Sequence, residues 1–213
     1  MDATLKKMQE CVINGEKEEV EALVRQALAE KLPAEEILNA GLIAAMKEVG
    51  ARFEAGDFYV PEMLVAARAM QSGLAILKPQ LLQSGVKSAG KVVIGTVKGD
   101  LHDIGKNLVA MMLEGAGYEI IDLGTDVSPE KFANAVKDNK ADIVGMSALL
   151  TTTMSNMKTV VTALKEAGIR EQVKVMIGGA PVTEDYAKEI GADGYAPDAS
   201  RAVALAKSLV EAF

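Results

Sequence analysis

The hydrophobic pattern of this chain changes period once, near residue 90, and that change splits what it can fold into. Before it, apolar residues recur at helical spacing. Leu5, Met8 and Val12 make one short stripe; Val20, Leu23, Val24, Ala27 and Leu28 make a second after the break at Asn14-Gly15. Pro33 is expected in the first turn of a third helix, carried on by Ile37, Leu38, Gly41, Leu42, Ala45, Met46, Val49 and Phe53 to Gly56-Asp57. Pro61 starts a fourth, with Met63, Leu64, Ala67, Met70, Leu74 and Leu77 inward and an end near Leu81. Four amphipathic helices with short joins predict an antiparallel bundle over residues 1–86.

After the change, short apolar runs alternate with helical stretches. Residues 91–97, 119–123, 142–147, 174–179 and, weakly, 193–196 read as strands, and 103–116, 129–139, 154–167, 183–190 and 199–211 as helices. Ser128-Pro129 is a clean helix start, with serine as cap and proline at the first position. Such alternation implies a parallel sheet with right-handed crossovers. Five strands over residues 91–213 fit a flavodoxin-like (Rossmann-like) doubly wound sheet better than a full dinucleotide domain. The Gly/Ser-rich stretch 83–90 is expected to be a flexible joint between the two domains.

Composition narrows the function classes. The chain is 49% hydrophobic yet has no Trp, four Phe and four Tyr, so its core must be aliphatic and rich in its 11 Met, most of which read as core filler. Net charge is −7 with no basic run or basic-aromatic stripe, which argues against nucleic-acid binding. The first residues lack a signal-peptide core, and no apolar run approaches the ~18–20 residues of a membrane span. One cysteine, Cys11, excludes an internal disulfide and fits a reducing cytoplasm. It lies on an apolar helix face and is expected to be buried and inert.

The only histidine, His102, stands in Gly99-Asp100-Leu101-His102-Asp103-Ile104-Gly105-Lys106-Asn107, between the first predicted strand and its helix. Loops at the carboxyl ends of parallel strands are where such sheets bind ligands. Imidazole is the commonest metal ligand, and its second nitrogen needs a partner to fix the tautomer, for which Asp100 and Asp103 are both near enough. Ser147-Ala148-Leu149-Leu150-Thr151-Thr152-Thr153 and Gly178-Gly179-Ala180-Pro181 are predicted at the same edge. The first suits a large, mixed polar and apolar ligand; paired glycines admit a ligand or another backbone. Each has a plainer reading as well: a solvated histidine, threonines capping the next helix, a simple strand-to-helix turn. Their convergence on one edge favours a site.

Other chemistries fit less well. The glycine spacing around Gly105-Lys106-Asn107 is one residue too long for a phosphate loop, and Asn replaces Ser/Thr. No G-x-G-x-x-G follows the first strand. A zinc site lacks ligands, no G-x-S-x-G supports a serine triad, and a receiver domain would have an aspartate where Ser147 stands.

Asp100-x-His102-x-x-Gly105, then Ser147-x-Leu149, then Gly178-Gly179 resembles the signature of cobalamin-binding domains of the methionine synthase type. The helical half, with Phe53-Glu54-Ala55-Gly56-Asp57-Phe58-Tyr59-Val60-Pro61, is similar to the cap domain that accompanies them. The resemblance covers the whole chain, most closely in the small corrinoid proteins of methanol, methylamine and methoxy-compound methyltransferase systems. It implies His102 as lower axial ligand of cobalt, Asp100 as the carboxylate bonded to it, and Thr153 where methionine synthase has the serine that completes a proton relay. Gly99, Leu101, Asp103, Ile104 and Gly105 would contact the corrinoid. Its displaced nucleotide tail would run past Ser147, Leu149, Thr151, Gly178 and Gly179, with the segment around Ala199 closing over the far end. Phe58, Tyr59 and Val60 would cover the upper face.

The cofactor so implied is cobalamin or a related corrinoid, as methylcobalamin or hydroxocobalamin. The role implied is a methyl carrier of anaerobic one-carbon metabolism, not catalytic alone. Its partners would be a substrate:corrinoid methyltransferase, an acceptor methyltransferase using tetrahydrofolate or coenzyme M, and a reductive activator. A mutase subunit or a cobalamin-dependent sensor is the alternative. The mutase subunit usually lacks the cap, and the sensor carries an added DNA-binding domain.

Overall fold

The computed structural model describes residues 3–84 and 88–211. These divide into two compact units, the first made of residues up to Ser88 with Glu114–Gly117, the second of Ala89–Leu113 and the residues from Tyr118 onward. Part of the expected 83–90 joint, residues 85–87, lies outside the described residues.

The first unit is helical. Helices α1 (Ala3–Asn14), α2 (Lys17–Ala29), α4 (Ala44–Ala55) and α5 (Val60–Ser84) pack on one another, α2 along α5 and α1 against α2, α4 and α5. Their inward stripes are those the periodicity marks: Leu5, Met8, Val12, Val20, Leu23, Val24, Ile37, Leu42, Met63, Met70 and Leu77 are all buried. Cys11 is buried among them.

Three local features differ from the pattern. Pro33 is not in the first turn: its ψ of 134° leaves it extended, as the residue before the short helix α3 (Ala34–Glu36). The third helix is not uniformly α either, because Ile37–Ile43 is π-helical between α3 and α4. There the Gln9 side chain of α1 donates to the Ala40 carbonyl, the kind of side-chain intrusion that loosens an i→i−4 ladder. And α5 runs three residues past Leu81 to Ser84, with Pro79 inside it.

The second unit is a five-stranded parallel sheet in the order β2-β1-β3-β4-β5. Its strands are β1 (Lys91–Thr96), β2 (Glu119–Asp122), β3 (Ile143–Ser147), β4 (Lys174–Gly178) and β5 (Gly194–Tyr195). Between and after them come α6 (Ile104–Gly115), α7 (Pro129–Asn139), α8 (Ser155–Glu166), α9 (Glu184–Ile190) and α10 (Ala199–Glu211). The predicted cap at Ser128 is present, accepting from the Lys131 amide at 3.3 Å.

Val93, Val144, Val175 and Ile177 pack with Phe132, Met157 and Leu164 of α7 and α8 in one core. The alternate residues Val92, Ile94, Ile143 and Met176 are buried too. Burial on both faces explains why these strands are continuous apolar runs rather than alternating ones. Register places Thr96, Ser147 and Gly178 side by side at the carboxyl edge. In this strand order the chain turns to opposite sides after β1 and β3, and the crevice between them is where such folds take ligands.

Candidate functional site

The loop from Val97 to Asp103 leaves β1 at that crevice and carries Asp100 and His102. Asp100 is wholly buried. Its Oδ1 accepts from the His102 amide at 3.1 Å and faces His102 Nδ1 at 2.7 Å. Its Oδ2 accepts from the Leu149 and Leu150 amides, at 2.8 and 3.3 Å, and from Thr153 Oγ1 at 2.7 Å. Burial alone would raise the pKa of Asp100. The hydrogen bonds from Thr153, the His102 ring and the Leu149 and His102 amides outweigh it and hold the carboxyl well below the usual carboxylate range. An ionised carboxylate only accepts. An imidazole that bonds to it through Nδ1 carries a proton there, so the tautomer this pairing selects has its lone pair at Nε2.

The His102 side chain is 51% exposed, and Nε2 has no hydrogen-bond partner among the described residues. The large apolar side chains that the second unit leaves in water stand on the two segments that Asp100 joins, the His102 loop with its helix start and the turn after β3. Among the described residues these are Leu101 (73% exposed) and Ile104 (76%) on the His102 loop and helix start, and Leu149 (43%) and Leu150 (41%) after β3. Exposed apolar residues are ordinary singly; three leucines and an isoleucine on two segments joined at Asp100 mark a candidate binding surface.

Three residues that the sequence reading does not single out hold the loop. Thr96 Oγ1, fully buried at the end of β1, donates to the His102 carbonyl at 2.8 Å. Asp126, after β2, accepts from the Gly99 amide at 2.7 Å, and its own amide donates to the Asp100 carbonyl at 3.0 Å. Asn156 Nδ2 donates to the Lys98 carbonyl at 2.7 Å. A hydroxyl closing an otherwise apolar strand is the signal that could have found Thr96. Asp126 and Asn156 become visible only once register and loop geometry are known.

The remaining predicted residues fall as follows. Thr153 does not cap α8; its hydroxyl is turned to Asp100, with the Leu150 carbonyl 2.9 Å away as a second acceptor. Thr151 is exposed beside it. Asp103 directly precedes α6 and accepts from Asn107 Nδ2 of its first turn at 3.1 Å. A side chain at Gly105 would meet only open space, so nothing in the protein requires glycine there, whereas a ligand close to the loop would.

Gly179 is needed by the protein itself. Its φ is 134°, and a Cβ would lie 1.9 Å from the Ala148 carbonyl oxygen. A Cβ on Gly178 would sit 3.0 Å from the Ala196 carbonyl. The β3, β4 and β5 ends are thus drawn close, with Ala199 buried at the start of α10 next in the chain. Phe58, Tyr59 and Val60 belong to the first unit, at the corner between α4 and α5. Phe58 lies under Arg52, its ring centroid 5.3 Å from the guanidinium carbon, and Glu62 accepts from the Tyr59 amide at 3.0 Å. Tyr59 is 67% exposed.

Comparison with known proteins covers both units. A B12 binding domain model matches residues 90–204, and a second B12 binding domain model matches residues 4–78. Dimethylamine corrinoid protein 3 of Methanosarcina acetivorans is 45% identical over 210 residues, 99% of this chain and 98% of that protein. A cobalamin-binding protein from Desulfitobacterium hafniense superposes with a TM-score of 0.80 at 32% identity, covering 98% of each chain. The methanol:cobalamin methyltransferase complex MtaBC from Methanosarcina barkeri superposes with a TM-score of 0.89 at 29% identity, over 100% of this chain and 81% of that one. With both halves matched in sequence and nearly the whole length in structure, this chain belongs to the B12-binding family of corrinoid proteins.

Proposed function

We propose that the chain is a methyl-carrying corrinoid protein in which His102 Nε2 would ligate the cobalt. The observation that carries this reading is the pairing of His102 Nδ1 with the buried Asp100 while Nε2 has no hydrogen-bond partner among the described residues, on a loop that also exposes Leu101. The residues present fit a corrinoid: one nitrogen donor with its tautomer set, an apolar rim for a wide ring, and a bare Gly105. When bound, a corrinoid supplies a cobalt centre on which a methyl group can be held and from which it can be passed on.

Each residue then has a defined part. Asp100 keeps Nδ1 protonated and strengthens Nε2 as a donor. Thr153 Oγ1 carries one proton between two acceptors, Asp100 Oδ2 and the Leu150 carbonyl. It can therefore bond to the carboxylate when ionised, or receive a bond from it when protonated. Leu101, Ile104, Leu149 and Leu150 exclude water at the rim. Ser147, Leu149, Thr151, Gly178, Gly179 and Ala199 would border the nucleotide tail of the cofactor.

A methyltransferase is the partner that such a carrier requires. We assign two, a substrate:corrinoid methyltransferase and an acceptor methyltransferase serving tetrahydrofolate or coenzyme M, with a reductive activator to restore the reduced cobalt. The names of the relatives at 45% identity favour a small methylated amine as donor. The test is the spectrum of protein loaded with hydroxocobalamin and desalted, wild type against His102→Ala. Retained corrinoid with a histidine ligand that disappears in the variant supports the reading. No retained corrinoid, or ligation unaltered by the substitution, removes it.

A further inference from the structure

Lys106 is a buried lysine in the first turn of α6, its side chain 1% exposed. Its ammonium bonds to Asp122 Oδ2 at the end of β2 and to Asn107 Oδ1, the latter at 2.6 Å. Asn107 Nδ2 in turn donates to Asp103 Oδ2 at 3.1 Å, and the Asn107 amide donates to the Asp103 carbonyl at 2.8 Å. On the other side, Asp122 Oδ1 accepts from the Gly124 amide at 2.9 Å, and the Gly124 carbonyl accepts from the Thr96 amide at 2.9 Å. Thr96 Oγ1 then reaches the His102 carbonyl, which is bonded through the peptide to Asp103. The bonds close a ring: His102, Thr96, Gly124, Asp122, Lys106, Asn107, Asp103 and back to His102.

A buried ammonium is a costly way to hold a helix in place. Ion pairs out of water are commonly no more stabilising than apolar residues of the same volume, and a methionine would fill the space of the Lys106 stem. What the lysine adds is direction, since its donors join Asp122 at the end of β2 to Asn107, which in turn bonds to the residue beside His102. We propose that Lys106 is a positioning residue for the axial ligand, acting through Asn107 and Asp103 to hold the His102 loop in the pose that ligates cobalt. The proposal rests on His102 being that ligand.

The test uses the full chain loaded with hydroxocobalamin and reduced to the cobalt(II) state. With the protein labelled with 15N, an axial histidine nitrogen splits the electron paramagnetic resonance lines into doublets, whereas the cofactor's own 14N base gives triplets. Lys106→Met is expected to melt in the apo form within a few degrees of wild type, while its ratio of histidine-on to histidine-off cobalt falls about tenfold, the scale of lost support behind a metal ligand. Asn107→Ala, which breaks the ring without touching a charge, should move the ratio in the same direction. It decides the matter if Lys106→Met does not fold. Full histidine ligation in the folded variants, whether or not their melting point drops, overturns the inference, since Lys106 would then serve stability alone. Absence of the doublet in the wild type overturns the assignment of His102 itself and the inference with it.

Discussion

Replacing Asp100 by asparagine keeps the shape of the side chain and removes one acceptor face. Asp100 receives five hydrogen bonds, two from His102 and three from Leu149, Leu150 and Thr153. An amide can satisfy only one side. If its oxygen stays toward His102, its NH2 group opposes two buried peptide N–H groups, while the Thr153 hydroxyl escapes by turning to the Leu150 carbonyl. Orphaned buried donors cost about 1–3 kcal/mol each, so this orientation costs about 3 kcal/mol, the bond from Leu150 being long. If the oxygen turns toward Leu149, only the His102 amide is orphaned, at about 1–2 kcal/mol. The imidazole then accepts at Nδ1 by moving its proton to Nε2.

The second orientation is cheaper, and it removes the lone pair that would bind a metal. Asp100→Asn should therefore lose about 2 kcal/mol, or roughly 4–8 °C in melting temperature for a chain of this size, and should load hydroxocobalamin without a histidine ligand. Circular dichroism melting of the apo protein and the spectrum of the loaded protein measure the two effects separately. A melting point within about 1 °C of wild type, with histidine ligation intact, would show that the carboxylate neither satisfies those amides nor sets the tautomer.

Three further outcomes follow from the geometry. Gly179→Ala drives a methyl into the Ala148 carbonyl at a φ of 134°; it should cost about 3 kcal/mol or more, and an unchanged urea midpoint would mean the two backbones are not so close. Thr96→Val keeps the volume and deletes the bond to the His102 carbonyl; a loss of about 1 kcal/mol should come with faster hydrogen exchange in residues 98–103, and unchanged exchange there would refute the bond's role. The Cys11 thiol is pushed from 9.0 up to about 11, first by burial and then by its bond with Glu16. A raised pKa favours the native state fully below pH 9 and loses that contribution as pH rises through about 11. At pH 8 the native thiol should stay silent to a disulfide reagent that labels the unfolded chain at once, and prompt labelling of native protein would contradict its burial.

Much of this architecture was legible because it rests on periodicity. Stripes such as Val20-Leu23-Val24-Ala27 and runs such as Lys91–Thr96 differ in period, and burial follows the period in both. What was not legible depends on long-range contact. The π-helical stretch at Ile37–Ile43 coincides with a glutamine of α1, distant in sequence, reaching the Ala40 carbonyl. Pro79 would ordinarily end a helix, yet α5 continues to Ser84. At the site, the His102 loop was legible from the strand before it, and the resemblance singled out Asp100 where spacing left Asp103 equally open; Asp126 and Asn156 act on backbone atoms of that loop from other segments, and no residue-type pattern encodes that.

The division of labour at the sheet edge has a thermodynamic consequence. Apart from His102 Nε2, the polar groups of the site are satisfied within the chain: Asp100 has its donors, and the loop that bears His102 is tied down by Thr96, Asp126 and Asn156. Ordering that loop is a cost of folding, so it does not recur when a ligand arrives. The apolar part is the reverse, since Leu101, Ile104, Leu149 and Leu150 remain in water until something covers them, and each Å² then buried contributes about 25 cal/mol. Binding should therefore draw its affinity from the leucines and its geometry from the carboxylate. Substitutions in the two groups should separate accordingly: leucine variants weaken retention of the corrinoid with ligation intact, and Asp100 variants change ligation with retention largely kept.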